Sequence, residues 1–182
     1  EGWDLAGVPT SRATADLAER LRIPLTTLDE HPELDLAFDG ADEVDPRLNL
    51  IKGLGGALLR EKIVAAASKV FLIVVDESKI VDVLGEQVPL PVEVLPFGAG
   101  RTQERLRELG CKPSLRLAGD TPYRTDNGNY VIHCRFAGIS EPWEIARAIK
   151  EIPGVIEHGL FLEMVEAAFV GRAGEVTEMR RR

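Results

Sequence analysis

The 182-residue sequence holds only two cysteines, Cys111 and Cys134, too few for a disulfide framework or a Cys-rich zinc site. No apolar run approaches the roughly 18 residues that argue for a membrane-spanning helix, and no signal peptide opens the chain. Basic residues are outnumbered, 22 Lys+Arg against 30 Asp+Glu, and the net charge of −8 argues against nucleic acid, which wants a cationic face. A small anionic ligand held by a few local donors is compatible with that charge. There is no Gly-x-Ser-x-Gly nucleophile motif, and His31, His133 and His158 have no partner at metal-ligand spacing. What is present is a chain of 45% hydrophobic residues, with enough Val, Ile and Leu to bury a core and to exclude disorder as its main theme. Its default setting is reduced and cytoplasmic. The sequence begins at Glu1 rather than Met, so a beginning upstream of it is expected.

The first half alternates strand and helix. Leu5–Val8 reads as a short strand, followed by a helix capped by Ser11 with Ala13, Leu17 and Leu21 on one stripe. Ile23–Leu28 and Leu34–Phe38 read as further strands. Ala57–Ser68 reads as a helix with Leu59, Ile63 and Ala66 on one side. The uninterrupted Val70–Val75 run predicts a central parallel strand buried on both faces. The fold class expected is α/β, an open, mostly parallel Rossmann-like sheet with helices on both faces. From residue 88 the pattern changes to strand, helix (Thr102–Leu109), strand, strand, helix, strand. Tyr130, Ile132, Cys134 and Phe136 alternate on one face of YVIHCRF, Ser140 caps the second helix, and Trp143 packs on the sheet. That βαββαβ order predicts a smaller ferredoxin-like α+β domain over 88–160, with the catalytic α/β domain spanning 1–87 and 161–182. The basic end, Arg180 to Arg182, reads as frayed.

Ligands of open parallel sheets bind beyond the carboxyl ends of the strands. Three strand ends here carry polar groups: Thr10 and Ser11, Asp39, and Asp76. DGADE (39–43) sets Asp39 and Asp42 three apart around Gly40 and Ala41, a pair suited to acid–base chemistry. Asp and Gly are also ordinary turn residues, so the pair alone does not decide. KGLGGALLREK (52–62) places Gly53, Gly55 and Gly56 before a helix, where N–H groups and the helix dipole make an anion cradle beside Lys52. It has neither a Walker A ending nor the third glycine of a dinucleotide fingerprint. Glu61 is either an exposed helical glutamate or a general base whose pKa must be raised by apolar enclosure. Lys79 of DESK could hold a phosphate.

Together VPTSRAT, AFDGADEVD, LIKGLGGALLREKI, VVDESKIVDVLG, PLPVEVLP, TDNGN and IPGVIEHGLF resemble ribose-5-phosphate isomerase of the A type over nearly the whole chain. The resemblance implies interconversion of D-ribose 5-phosphate and D-ribulose 5-phosphate with no metal or organic cofactor. It implies Glu61 as proton acceptor, with Asp39, Asp42 and Lys52 around the reacting end of the sugar. The substrate contacts then expected are Thr10, Ser11, Asp39, Gly40, Ala41, Asp42, Lys52, Gly53, Leu54, Gly55 and Lys79. It also implies a homodimer or tetramer, and a preceding strand and helix with a Gly-Thr-Gly-Ser-Thr phosphate loop that these residues do not contain. The competing reading is a sugar-phosphate-sensing module of related fold, which has little need of Glu61. A dinucleotide-dependent enzyme is weaker still, because its fingerprint glycines are wrong.

Overall fold

Ser11 is extended, and its hydroxyl accepts from Thr14 N, so the chain enters α1 (Arg12–Arg20) at the expected cap. The computed structural model describes residues 5–181. The apolar stripe of α1 is open: Leu17 and Leu21 are exposed, and the buried residue is Ala18. The strands expected at Leu5–Val8 and Ile23–Leu28 reduce to one parallel bridge, Gly7 to Leu25. Pro24 beside it has no N–H to extend the ladder.

The chain continues through β1 (Leu34–Asp39), β2 (Glu43–Val44), β3 (Leu50–Ile51), α2 (Leu58–Ala66), β4 (Ser68–Asp76) and a short 3₁₀ turn at Glu77–Lys79. Next come β5 (Leu90–Val94), α3 (Ala99–Arg107), β6 (Lys112–Leu115), β7 (Leu117–Ala118), β8 (Thr121–Pro122) and β9 (Tyr130–Arg135). The last elements are α4 (Pro142–Lys150), β10 (Val155–His158), β11 (Leu160–Phe161), β12 (Ala167–Arg172) and β13 (Glu175–Arg180).

The first sheet has the order β1-β4-β12-β13, with β4 parallel to both neighbours and β13 closing an antiparallel hairpin. The β-branched run therefore does form a central parallel strand. Its burial alternates, however. Phe71, Ile73 and Val75 enter a core with Ala37, Ala65 and Val170, whereas Val74 is 58% exposed beside Leu36 and Phe38 on the other face. Periodicity alone cannot show whether the second face is covered, and among the described residues it is not. Arg180 is not frayed: it ends β13 and pairs with Glu166 and Glu178.

The second sheet, β10-β5-β9-β6, is antiparallel throughout, the strand order that the βαββαβ pattern predicts. Its core gathers Val92, Leu106, Ile132, Cys134 and Ile149 with Leu84 and Leu160. Helix α3 starts at Ala99, three residues earlier than expected, after Gly98 in a left-handed conformation. The residue before α4 is Glu141 rather than Ser140, with Pro142 in its first turn, and Trp143 lies half out of the protein instead of packing on the sheet.

A three-stranded sheet, β11-β3-β2, joins the two halves and sets up the site. Lys52, directly after β3, donates its backbone N–H to Gly159 O at 2.9 Å. A Cβ on Gly159 would collide with Lys52 O, so only glycine allows this approach. Glu43 in β2 is fully buried, and its carboxylate accepts the backbone N–H groups of Gly85, Gln87 and Val88, which lead into β5. Glu43→Ala leaves those donors buried and unsatisfied and is expected to lower unfolding stability by about 3 kcal/mol. A urea titration with no shift of midpoint would contradict that role for Glu43.

Candidate active site

Helix α2 turns toward the protein a side different from its most apolar one. Leu58 and Ala65 are buried, and Glu61 and Lys62 share their i, i+3, i+4, i+7 stripe. Leu59, Ile63 and Ala66, on the other side, are partly or fully exposed. The pattern misleads because the inward stripe carries two charged residues, each with a buried partner. Lys62 Nζ donates to Glu157 at 2.9 Å and to His158 O. Burial pushes the Lys62 ammonium down to about 8, against the attraction of Glu157. Burial together with the Lys62 charge pushes His158 down to about 3, so its imidazole is neutral, and Nδ1 accepts Leu160 N at 3.2 Å.

Lys52 is 3% exposed. Its Nζ donates to Gly40 O at 2.6 Å, lies 2.9 Å from Asp39 Oδ2 and 3.3 Å from Glu61 Oε2, and sits 5.6 Å from the centroid of the Phe161 ring. Lys62 approaches the same ring to 5.0 Å, so Phe161, wholly buried, fills the space between two lysines. Asp39 Oδ1 accepts Gly40 N at 2.7 Å, and Asp42 Oδ2 accepts Leu54 N at 3.0 Å. DGADE and the Gly-rich loop are thus laced together by one ammonium and one amide.

Glu61 is the unusual member. Oε2 is buried with no well-formed hydrogen bond, despite its 3.3 Å approach to Lys52. Burial raises its pKa above the ordinary glutamate value, Lys52 opposes that rise, and the charges of Asp39 and Asp42 add to it. A carboxylate so placed gains from taking a proton.

The remaining expected residues are spread wider. Asp39 and Asp76 leave parallel strands at the same edge, but Asp39 pairs with Ile73, so Asp76 lies three residues, about 10 Å, farther along. Asp76 caps the 3₁₀ turn by accepting Ser78 N at 2.9 Å. The Ser78 side chain, that backbone bond and the nearby Lys79 charge hold its carboxyl below the usual range. Lys79 is half-buried and makes no ion pair or hydrogen bond among the described residues. Thr10 and Ser11 do not extend the strand edge that holds Asp39. Arg12 N, next to them, donates to Asp126 Oδ2 at 2.7 Å, and Arg60 of α2 reaches Asn127 Oδ1 at 2.8 Å in the same loop.

That loop is what residue-by-residue reading overlooked. Thr125, Asn127 and Asn129 all donate to Oε1 of the fully buried Glu93 in β5. The TDNGN run that surrounds them was the available signal. His133, on the same strand face as Glu93's partner Val131, has a buried Nε2 without a partner. Burial lowers its pKa, helped by the charges of Arg116 and Arg135 and opposed by Asp42. A cleft of about 670 Å³ between Asp45, Asp82, Glu141 and Arg181 holds none of the expected residues. No cluster of His, Cys, Asp or Glu among the described residues could hold a metal ion.

The family described as ribose 5-phosphate isomerase A (phosphoriboisomerase A) matches residues 6–175. The chain belongs to the ribose 5-phosphate isomerase A family. A ribose-5-phosphate isomerase A of Roseiflexus castenholzii is 53% identical over 176 residues, covering 96% of this chain and 75% of that protein. A solved D-ribose-5-phosphate isomerase in complex with phospho-erythronic acid superposes with a TM-score of 0.95 at 41% identity, over 98% of this chain and 79% of that one. The ribose 5-phosphate isomerase of Plasmodium falciparum gives a TM-score of 0.94 at 38% identity, with the same coverage. Lys52, Asp39, Asp42 and Glu61 are therefore brought together in a chain with the backbone of ribose 5-phosphate isomerase A.

The raised pKa of Glu61 has a consequence for stability. The unfolded chain releases this proton near 4.5, while the folded chain keeps it to higher pH, so stability due to Glu61 is full below 4.5 and falls as pH rises through the folded value. Glu61→Gln is expected to remove that decline and to be the more stable protein at pH 7, read as a higher urea midpoint. Equal midpoints for the two proteins at pH 7 and at pH 4 would place Glu61 in water.

Proposed function

We propose that Glu61 is the proton shuttle of this isomerase. The reaction is the aldose–ketose interconversion of D-ribose 5-phosphate and D-ribulose 5-phosphate, in the pentose phosphate pathway. It moves one proton between adjacent carbons by way of an enediol(ate). It therefore requires a base that can also give the proton back, charge to hold the developing oxyanion, and donors for the phosphate. The single observation that carries the assignment is the buried, hydrogen-bond-poor Oε2 of Glu61, 3.3 Å from Lys52. Such an oxygen takes a proton from C2 of the open-chain sugar and returns it to C1. Its raised pKa narrows the gap to the weakly acidic carbon, as Brønsted behaviour favours.

Lys52 then offsets negative charge on O1 and O2 while still held by Asp39. Asp39 and Asp42 assist opening of the sugar ring and move protons between oxygens; one oxygen of Asp42 has no protein donor among the described residues. The Gly53–Gly55 loop supplies backbone N–H groups to the substrate, and Gly40 and Ala41 leave the backbone open beside it. Lys79, together with Thr10 and Ser11, binds toward the phosphate end. A relative solved with phospho-erythronic acid fits this reading, because such a ligand carries a phosphate at one end and an acid group at the other. No step needs a metal or an organic cofactor.

Residues 88–160 act in this proposal as a separate unit that braces the site, and 1–87 with 161–182 as the unit that carries it. The resemblance further supports a homo-oligomer, dimer or tetramer, acting in the cytoplasm. No helix among the described residues is long and apolar enough to cross a membrane. The sensor alternative has no use for a buried, proton-hungry carboxylate beside a lysine, so the isomerase is favoured. Glu61→Gln keeps the shape and loses the base, and kcat is expected to fall by about 10²–10⁴ or more with a small change in KM. The check is ribulose 5-phosphate formation by purified protein. Near-normal turnover by the variant rejects the shuttle, and a wild-type protein that binds the sugar phosphate without turnover supports the sensor.

A further inference from the structure

The Gly-rich loop is held from a part of the molecule that the isomerisation chemistry does not use. Arg116 lies between β6 and β7, and Tyr123 directly follows β8. Tyr123 N donates to Arg116 O at 2.9 Å, and the guanidinium carbon of Arg116 lies 3.7 Å from the Tyr123 ring centroid, so the two side chains form one stacked unit. That unit grips two successive carbonyls. Arg116 Nη1 donates to Leu54 O at 2.7 Å, and the Tyr123 hydroxyl donates to Gly55 O at 3.3 Å. Tyr123 also occupies the space that a side chain on Gly56 would need.

Peptide geometry carries the consequence to the site. In a trans peptide the C=O and the following N–H point in opposite directions from one plane. With Leu54 O tied to Arg116, Gly55 N–H is turned to the other side. That N–H has no protein acceptor among the described residues, and the space around Gly55 is open. Leu54 N is held by Asp42 Oδ2, so the peptide planes on both sides of Leu54 are fixed, one by a carboxylate of the site and one by Arg116. We propose that Arg116, with Tyr123 stacked on it, is a positioning residue for the isomerisation: it holds the Leu54–Gly55 peptide so that Gly55 N–H is presented to an oxygen of the bound sugar phosphate. The proposal rests on the reading of Gly53–Gly55 as substrate-contacting.

The test compares Arg116→Met, which keeps an apolar stem over Tyr123 and removes the donors, with Arg116→Lys and Tyr123→Phe. In Arg116→Met, KM for ribose 5-phosphate and Kd for phospho-erythronic acid are both expected to rise about tenfold, the order of one charge-assisted hydrogen bond. The kcat stays within about threefold, because the proton shuttle is untouched. Arg116→Lys restores one donor and recovers most of the loss, which a merely structural role would not produce. Tyr123→Phe keeps the stack, removes one neutral hydrogen bond, and raises both constants about threefold. Unchanged KM and Kd in Arg116→Met, or a fall in kcat at constant KM, overturns the proposal. If Arg116→Met fails to fold, Tyr123→Phe decides, and wild-type constants in that variant are the overturning result. Wild-type protein that neither isomerises nor binds phospho-erythronic acid sinks the isomerase reading instead.

Discussion

One buried ammonium organises this molecule. Lys52 is shut away from water between Asp39, Gly40 O, Glu61 and the Phe161 ring. One positive charge facing two carboxylates cannot neutralise both, although an ammonium has donors enough to reach each of them. Asp39 is the closer carboxylate, at 2.9 Å against 3.3 Å, and Glu61 keeps a buried oxygen without a hydrogen bond. Buried ion clusters of this kind are weak sources of stability, because desolvation offsets their attraction. Here the imbalance is what the proposed proton shuttle rests on: a buried carboxylate whose pKa is raised, beside a positive charge.

The rest of the architecture holds that imbalance in place. Lys52 leaves β3 at the joint between the two sheets, where its backbone is bonded to Gly159 and Gly159 alone can come so close. Glu43 fastens the same small sheet to the segment entering β5. Helix α2 brings Glu61 in on a stripe whose second charged residue, Lys62, is separately satisfied by Glu157 and His158 O. The antiparallel sheet contributes through Glu93 and the 125–129 loop, which Arg60 of α2 reaches. The four residues proposed for catalysis lie in the first half of the chain, and contacts from the second half help to hold them.

Much of this could be read from residue order. The resemblance to ribose-5-phosphate isomerase of the A type implied Asp39, Asp42, Lys52 and Glu61 as one group; Lys52 pairs with Asp39 and Glu61, and Asp42 holds Leu54 of the Gly-rich loop. The helix–strand order predicted the antiparallel βαββαβ topology, whereas the alternation in YVIHCRF implied one covered face and Val131 and Glu93 on the other face are fully buried as well. The misreadings share one cause. Apolar side chains on a helix invite placement in the core, yet Leu17, Leu21, Ile63 and Trp143 are exposed. The inward stripe of α2 is half charged, and only its partners on other elements make that burial tolerable. The bridge at Gly7 and the single covered face of β4 show the same limit: pairing and coverage depend on neighbours that a local window does not contain.

The residue types and spacings alone determined that this chain builds a parallel sheet followed by an antiparallel one. They also determined that a Gly-rich turn opens the helix bearing Glu61, because turns, caps and periodicity are local properties of the backbone. Which groups share the Lys52 ammonium, why Glu61 goes short of a donor, and how Arg116 reaches Leu54 across 62 positions were decided only by tertiary structure. Those contacts depend on where separate elements meet and on which charges are excluded from water together, and neither is a property of any segment by itself.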